Sequence, residues 1–211
     1  MILVAFKKVE GARAELEEAA RRAIPSPENN GYFDEIAARK NDSSACESFT
    51  ALLLLAKLAR ELEIDASDLV LRRGENGKPY FEGGALDFSI SHSRGIVIVA
   101  LSDSGAVGID VEAAQISDDK AKKLAERYLS ADVAYTAETA KKFLQVWVRK
   151  EACVKLFGAT LAEVIGKEIP ENVGFCDMWI FGFPASLCYF GEQTVKFYKN
   201  SSDFERKEGS F

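Results

Sequence analysis

The chain has 211 residues, of which 47% are hydrophobic and 28% are charged, and its formal net charge is −6. This length suits one large domain or two small, closely packed ones, and the apolar share is enough for a buried core. The negative charge argues against a broad nucleic-acid-binding surface, so we expect no nucleic-acid partner. The apolar runs are too short to span a bilayer, so we expect no membrane partner and a cytoplasmic protein.

The N-terminal half alternates strand and helix patterns. An apolar run at residues 1–6 predicts a first strand rather than a signal peptide, because no charged segment precedes it. Residues 11–23 predict a helix that ends before Pro25, and residues 25–31 predict a turn-rich loop. The strongest helix prediction covers residues 43–63, and its apolar character almost all round indicates a buried helix. Ser43 or Ser44 is its predicted N-cap, with Glu47 completing a capping box.

β-branched and aromatic runs separated by turn residues follow and predict an antiparallel meander. Its strands are expected near residues 69–71, 80–81, 88–91, 96–101 and 107–111. Two helices should come next, at residues 118–128 and 137–157, and Gly158 is placed to end the second. Short strands are expected between residues 175 and 197.

The cysteines are widely spaced and contain no C-x-x-C pair. Cysteines in such a pattern are typical of small buried apolar side chains in a reducing compartment rather than of zinc ligands or a disulfide framework. We therefore expect buried thiols at Cys46, Cys153, Cys176 and Cys188.

Two short segments place acidic and basic side chains at regular spacings. Asp110 and Glu112 lie two apart in a β-branched run, so on a strand both carboxylates point to one face. Glu151 and Lys155 lie four apart in the helical segment, also on one face. Taken singly, the first pair is more often the solvent face of a strand, and the second an exposed ion pair. If the two elements pack together, three carboxylates and an ammonium group converge, which suits Mg²⁺ and a phosphorylated substrate.

Two further motifs lie upstream. The chain's only histidine, His92, is flanked by Ser91 and Ser93 at a predicted strand end, and imidazole and hydroxyl groups can donate to phosphate. A turn histidine without a role is the alternative interpretation. Lys78-Pro79 places a cation in a rigid turn, for which a surface hairpin is the commoner interpretation. A Ser-His-Asp hydrolase is disfavoured because no G-x-S-x-G motif accompanies these residues.

The order of the motifs resembles the Sfp-type 4′-phosphopantetheinyl transferases. G-K-P, F-S-I-S-H-S, G-I-D-V-E and W-x-R-K-E-A-x-x-K follow one another, and the marked segments run from Lys78 to Gly158. The resemblance implies an α+β fold of two pseudo-twofold-related subdomains, each a helix packed on a small antiparallel sheet. It implies a coenzyme A subdomain at residues 1–104 and a subdomain with the metal and catalytic motifs at residues 105–211.

The resemblance also implies a reaction. The 4′-phosphopantetheine arm of coenzyme A would be transferred to a serine of an acyl or peptidyl carrier protein, with release of adenosine 3′,5′-bisphosphate. Asp110, Glu112 and Glu151 would hold Mg²⁺, with Mn²⁺ as an alternative ion, and Lys155 would neutralise phosphate charge. Glu151 is also the favoured base for the serine hydroxyl, because a hydroxyl is a poor nucleophile until a carboxylate accepts its proton.

The nucleotide side is less well matched. By the resemblance, Ser91 and His92 would contact the nucleotide phosphates, and Lys78 and Pro79 would line the adenine side. A basic residue is usual early in the buried N-terminal helix, where this chain has Cys46. Nearby cations that could substitute for it are Arg39 and Lys40.

Two alternatives to the transferase stay open. A degenerate module that binds coenzyme A or a carrier protein without transfer is favoured by the Cys46 departure and by the short segment after Gly158. A Mg²⁺-dependent nucleotide phosphohydrolase would use the same acidic residues, but the Ser-His-Ser and Gly-Lys-Pro motifs argue against it. We expect a monomer, because a chain of two halves can complete the cleft between them.

Overall fold

The computed structural model describes residues 1–74, 76–129, 139–164 and 169–198, and the backbone of residues 204–206. The strands are β1 (Ile2–Lys8), β2 (Leu71–Arg73), β3 (Pro79–Phe81), β4 (Asp87–Ser93), β5 (Ile96–Ser102), β6 (Val107–Val111), β7 (Val173–Ile180), β8 (Phe183–Phe190), β9 (Val195–Tyr198) and β10 (Phe204–Arg206). The helices are α1 (Arg13–Ala23), α2 (Asn30–Ala37), α3 (Asp42–Glu61), α4 (Asp118–Tyr128), α5 (Ala140–Phe157) and α6 (Leu161–Val164), with short 3₁₀ turns at Pro27–Asn29 and Ala66–Asp68.

The strands form two four-stranded sheets and one small hairpin. The first sheet has the order β4-β5-β1-β9, and the second has the order β10-β7-β8-β6, while β2 pairs with β3. All pairs are antiparallel except β1 with β9, which run parallel. The alternation of side chains along β1 decides the layering, since Leu3 and Ala5 face α3 while Ile2 and Val4 pack against the second sheet.

Each sheet carries one long helix on its outer face. The buried helix α3 packs on β1 and β5, and α5 packs on β6 and β8. A side chain at Gly108 would overlap the carbonyl of Ala152, so glycine at this position lets the α5 backbone lie directly on β6. The predicted α+β class, with helices on small antiparallel sheets, is confirmed.

Several local predictions are confirmed. Gly158 ends α5 in the left-handed conformation, with a φ of 60°. Helix α4 has the predicted bounds, and α5 begins at Ala140 among the described residues, whereas the predicted start at residue 137 lies outside them. Three cysteines are buried as predicted and Cys46 is half-buried. Within the parts of the chain that the structure describes, no helix has the length and apolarity needed to cross a membrane.

Three local predictions are wrong. The five strands expected to form one antiparallel meander are divided, because β2 and β3 form a separate hairpin, β4 pairs with β5, and β6 joins the second sheet beside β8. The predicted loop at residues 25–31 contains a 3₁₀ turn and the start of α2, because Phe33 and Ile36 lie three apart and are buried against the first core. The N-cap of α3 is neither serine but Asn41, whose side chain accepts a hydrogen bond from the Ser44 amide. Glu47 takes no part in a capping box, since it is buried and bonded elsewhere.

Candidate functional site

A cavity of about 390 Å³ lies between α3, β4, β6 and α5. Most of the residues predicted to form the site line it. They are the acidic Asp110, Glu112 and Glu151, the basic Arg39, His92 and Lys155, and Pro79 and Ser91. Lys40 is exposed and is not among the lining residues, and Cys46 packs partly buried against the first core.

A ladder of side chains joins β4 to β6 and thereby fixes the two strands that line the cavity. Alternate residues of β4 point the same way, and their oxygen atoms accept hydrogen bonds from alternate backbone amides at β6. The pairs are Asp87 with Val107 (2.8 Å), Ser89 with Ile109 (3.0 Å), Ser91 with Val111 (3.3 Å) and Ser93 with Ala113 (3.0 Å). The ladder supplies hydrogen-bond acceptors to the backbone amides on the outer edge of β6, and it thereby holds the two sheets together.

The same serines hold the acidic pair. Ser91 Oγ donates to Asp110 Oδ1 at 2.7 Å, and Ser93 Oγ donates to Glu112 Oε1 at 2.7 Å. The Ala114 amide also donates to Glu112 Oε1, at 2.8 Å. Both carboxylates are therefore oriented by hydrogen bonds rather than left to rotate. Asp110 is only 7% exposed, which makes such bonds necessary for a charged group.

The lining face of α5 contains residues spaced four apart. Trp147, Glu151 and Lys155 all face the cavity, as helical geometry requires of such positions. Lys155 Nζ donates to Asp110 Oδ1 at 2.8 Å and to the Ile109 carbonyl at 3.0 Å. This ammonium therefore connects α5 to β6 at the centre of the site.

Glu151 shows the electrostatic character of the acidic end. Burial raises the pKa of its carboxyl above the ordinary value, the Asp110 and Glu112 carboxylates raise it further, and Lys155 opposes them. Three carboxylates and one ammonium line this end, so its net charge is negative when all of them are ionised. Such a site favours a bound cation.

The donor set fits Mg²⁺. Among the described residues, no three His, Cys, Asp or Glu side chains are grouped closely enough to hold a metal ion by themselves. Mg²⁺ does not require such a group, because it keeps several waters and binds through one or two carboxylates together with substrate phosphates. Asp110, Glu112 and Glu151 are the carboxylates of the predicted set from which one or two ligands would come.

The other end of the cavity is basic and contains Arg39, which the sequence analysis named, and Arg73, which it missed. Arg39 donates to Ser48 Oγ at 2.7 Å, and Arg73 donates to Glu35 at 2.9 Å. The guanidinium of Arg73 also lies over the Tyr32 ring, 4.8 Å from its centroid. Arg73 directly precedes the Gly74–Pro79 turn, and that position was the available signal for it.

Lys78 holds strands together next to the cavity. Its Nζ donates to Asp87 Oδ2 at 2.8 Å and to the Val107 carbonyl at 3.1 Å. It lines a neighbouring space of about 250 Å³, which shares Pro79, Ile90 and Lys155 with the main cavity. The Lys78 ammonium thus joins the turn before β3 to β4 and β6.

His92 lies at the rim, with 34% of its side chain exposed. Its Nδ1 lies 3.0 Å from Glu47 Oε2. Burial lowers the pKa of the imidazole, while the Glu47 carboxylate opposes that effect. Sequence reasoning identified His92 but assigned Glu47 to a cap, since nothing local in the sequence reveals a partner across the fold.

The comparison with known families bears on the acidic end. Residues 106–180 match the family model of the 4′-phosphopantetheinyl transferase superfamily. Over this segment the chain is similar to the 4′-phosphopantetheinyl transferases. The match contains Asp110, Glu112, Glu151 and Lys155, and it confirms the resemblance seen in the motifs.

Individual 4′-phosphopantetheinyl transferases are similar to the chain over part of their length. The chain is 36% identical to AcpT of Salmonella typhimurium over 99 residues, which cover 44% of this chain and 51% of that protein. It is 30% identical to gsp of Aneurinibacillus migulanus over 143 residues, covering 65% and 56% respectively. A putative 4′-phosphopantetheinyl transferase of Haemophilus influenzae is 29% identical over 153 residues, covering 69% and 65%. The matches thus span about half to two thirds of the curated relatives.

Proposed function

We propose that this protein transfers the 4′-phosphopantetheine arm of coenzyme A to a serine of an acyl or peptidyl carrier protein, with Mg²⁺ or Mn²⁺ bound. One observation carries the proposal. Three carboxylates and the Lys155 ammonium, from β6 and α5, line one cavity inside the segment that matches the transferase superfamily. The names of the similar proteins support the same reaction.

The proposed chemistry uses few groups of the chain. The serine oxygen of the carrier bonds to the phosphorus that bears pantetheine, the pyrophosphate P–O bond breaks, and adenosine 3′,5′-bisphosphate leaves. Glu151 accepts the serine proton, directly or through a water, and Lys155 offsets the charge of the phosphates. When bound on Asp110, Glu112 and Glu151, the divalent ion supplies further charge neutralisation at the pyrophosphate.

The basic end supports binding of the nucleotide phosphates. Arg39, Arg73 and His92 line it, and guanidinium groups suit phosphate because their donors match its geometry. Pro79 lines both the main cavity and the neighbouring space, and its place beside the adenine is what the resemblance implies. Ser91 already donates a hydrogen bond to Asp110, and Lys78 donates one to Asp87. Each can make its predicted nucleotide contact only if coenzyme A displaces that bond.

Intact mass spectrometry of a panel of apo carrier proteins tests this function. Incubation with the protein, coenzyme A and Mg²⁺ should add one phosphopantetheine mass to at least one carrier, and a chelator should abolish the gain. Asp110→Asn should lower the rate at least a hundredfold, whereas the matched change Asp119→Asn, on the exposed α4, should leave it unchanged. An Asp110→Asn protein with normal turnover would contradict the assigned site.

A binding module without transfer is the second candidate. The observation that favours it is the Lys155 Nζ placed 2.8 Å from Asp110 Oδ1, an oxygen that a metal would otherwise use. Under this alternative, coenzyme A binds in calorimetry but no carrier gains mass. The same panel therefore separates the two functions.

We further infer a monomer, located in the cytoplasm, whose two halves meet near Ser104. The support for the division is that each sheet has its own long helix, although β9 returns to pair with β1. Light scattering behind a sizing column tests the oligomeric state, and a single species near 23.2 kDa is the expected result.

A further inference from the structure

Glu47 is a buried carboxylate on a helix whose other buried residues, apart from Thr50, are apolar. It is 6% exposed, and its neighbours on α3 in the first core include Ala45, Phe49 and Ala51. Placing a carboxylate in such surroundings is unfavourable unless hydrogen bonds satisfy it. Its partners therefore indicate what it does.

Both oxygens of Glu47 reach the hairpin between β4 and β5. Oε1 accepts a hydrogen bond from the Gly95 amide at 2.7 Å, and Oε2 lies 3.0 Å from His92 Nδ1. The hairpin turns at Arg94 and Gly95, whose φ angles are 51° and 78°, and this pair of positive angles is typical of a tight type I′ turn. One carboxylate thus fixes the turn backbone and the adjacent imidazole together.

We propose that Glu47 is a positioning residue for His92: its carboxylate accepts a hydrogen bond from Nδ1–H, and in the protonated ring Nε2–H is then left to donate to an anionic group of the substrate in the cavity. The inference rests on the proposed function for the identity of that group, a phosphate of coenzyme A. The link between Glu47 and His92 stands on the geometry alone. A hydrogen bond at one ring nitrogen decides which role the other can take.

The charges around His92 make this role specific. The groups that act on it are Glu47 of α3, Lys155 of α5, Asp110 of β6 and Arg39 after α2. Burial and the two cations favour a neutral ring, and Glu47 is the larger of the two anionic influences that oppose them. Without Glu47, His92 would keep less positive charge for a phosphate.

The sole histidine of the chain makes the test unambiguous, because every imidazole signal in a nitrogen NMR spectrum of the full chain belongs to His92. Glu47→Gln retains an oxygen for the Gly95 amide but removes the charge. We expect its neutral ring to shift toward the Nε2–H tautomer and the pKa of His92 to fall, because the carboxylate that favours the charged ring is gone. Glu61→Gln, at the exposed end of the same helix, is the matched control and should change neither.

Kinetics add the second readout. If transfer is observed, Glu47→Gln should raise KM for coenzyme A about tenfold and leave kcat within about twofold, which marks a loss of binding rather than of chemistry. Glu47→Asp, which keeps the charge, should recover part of the loss. An unchanged tautomer and pKa in Glu47→Gln would overturn the proposal, and so would an unchanged KM in an active enzyme. If the wild type transfers nothing, the NMR result still decides whether Glu47 positions His92, so the two failures are distinguishable.

Discussion

The Ser93 hydroxyl donates a 2.7 Å hydrogen bond to Glu112 Oε1 and accepts a 3.0 Å hydrogen bond from the Ala113 amide. One side chain therefore ties the end of β4 to β6 and orients a proposed metal-binding carboxylate. Because one oxygen makes both hydrogen bonds, its removal should weaken the binding of Mg²⁺ and also lower the stability of the fold. The effect on Mg²⁺ binding should be the larger one.

We predict that Ser93→Ala lowers the apparent affinity for Mg²⁺ about tenfold, since groups that orient metal-binding side chains commonly contribute that much. The loss of stability should be small, about 1 kcal/mol, because the site is half-buried. Transfer rates measured across a Mg²⁺ series, beside urea unfolding, give both quantities. Ser43→Ala, exposed in the first turn of α3, serves as the control, and equal Mg²⁺ dependence in the two variants would refute the orienting role.

Gly108→Ala should destabilise the protein by about 2–3 kcal/mol, because the added methyl group would overlap the backbone of α5. Gly31→Ala is the matched control. A side chain there meets nothing within 4 Å, and the residue lies in α2, so alanine should stabilise by about 0.5–1 kcal/mol. Thermal unfolding of both variants measures the difference, and a stable Gly108→Ala protein would show that α5 does not lie against β6 as described.

Glu151→Gln should unfold at a higher temperature than wild type at pH 7, while its transfer activity falls. The pKa of Glu151 is raised above the ordinary value of 4.5 by burial and by Asp110, so the folded chain binds this proton more tightly than the unfolded chain does. Stability therefore declines as pH rises through the window between the two values, and the glutamine variant escapes that decline. Melting temperatures across pH 4 to 8, without added metal, check the sign, and curves that stay parallel would disprove it.

Ligands should stabilise the protein in a metal-dependent manner. Coenzyme A with Mg²⁺ should raise the free energy of unfolding by about 2.7 kcal/mol when free ligand is one hundred times its Kd. Glu112→Gln should lose most of the increment that Mg²⁺ adds, because one proposed ligand is gone. Thermal shifts with coenzyme A alone, with Mg²⁺ and with a chelator measure that increment. An increment of wild-type size in Glu112→Gln would exclude Glu112 from the metal site.

The sequence predicted the parts of the site that depend on spacing along one element. A spacing of two residues on a strand places Asp110 and Glu112 on one face. A spacing of four residues on a helix does the same for Glu151 and Lys155. Gly158 likewise acts through its own helix end. These features need only the local backbone geometry, which the residue pattern determines.

What the sequence could not supply depends on which elements meet. The ladder of side chains forms only because β4 lies beside β6 in the fold. The partners of Glu47 likewise lie on a hairpin more than forty residues further along the chain. Asn41 was missed as an N-cap because two serines follow it and all three are good caps. The nucleotide contacts of Ser91, Lys78 and Lys40 stay predictions.

The parallel pairing of β9 with β1 has a consequence for how the chain folds. Val195–Tyr198 covers one edge of β1, so this edge of the first sheet is paired only after β6, β7 and β8 of the second sheet have been synthesised. A fragment that stops near Ser104 would leave the β1 backbone uncovered and prone to self-association. The first sheet is therefore complete only after most of the second sheet has been made, and both halves are expected to unfold in one transition.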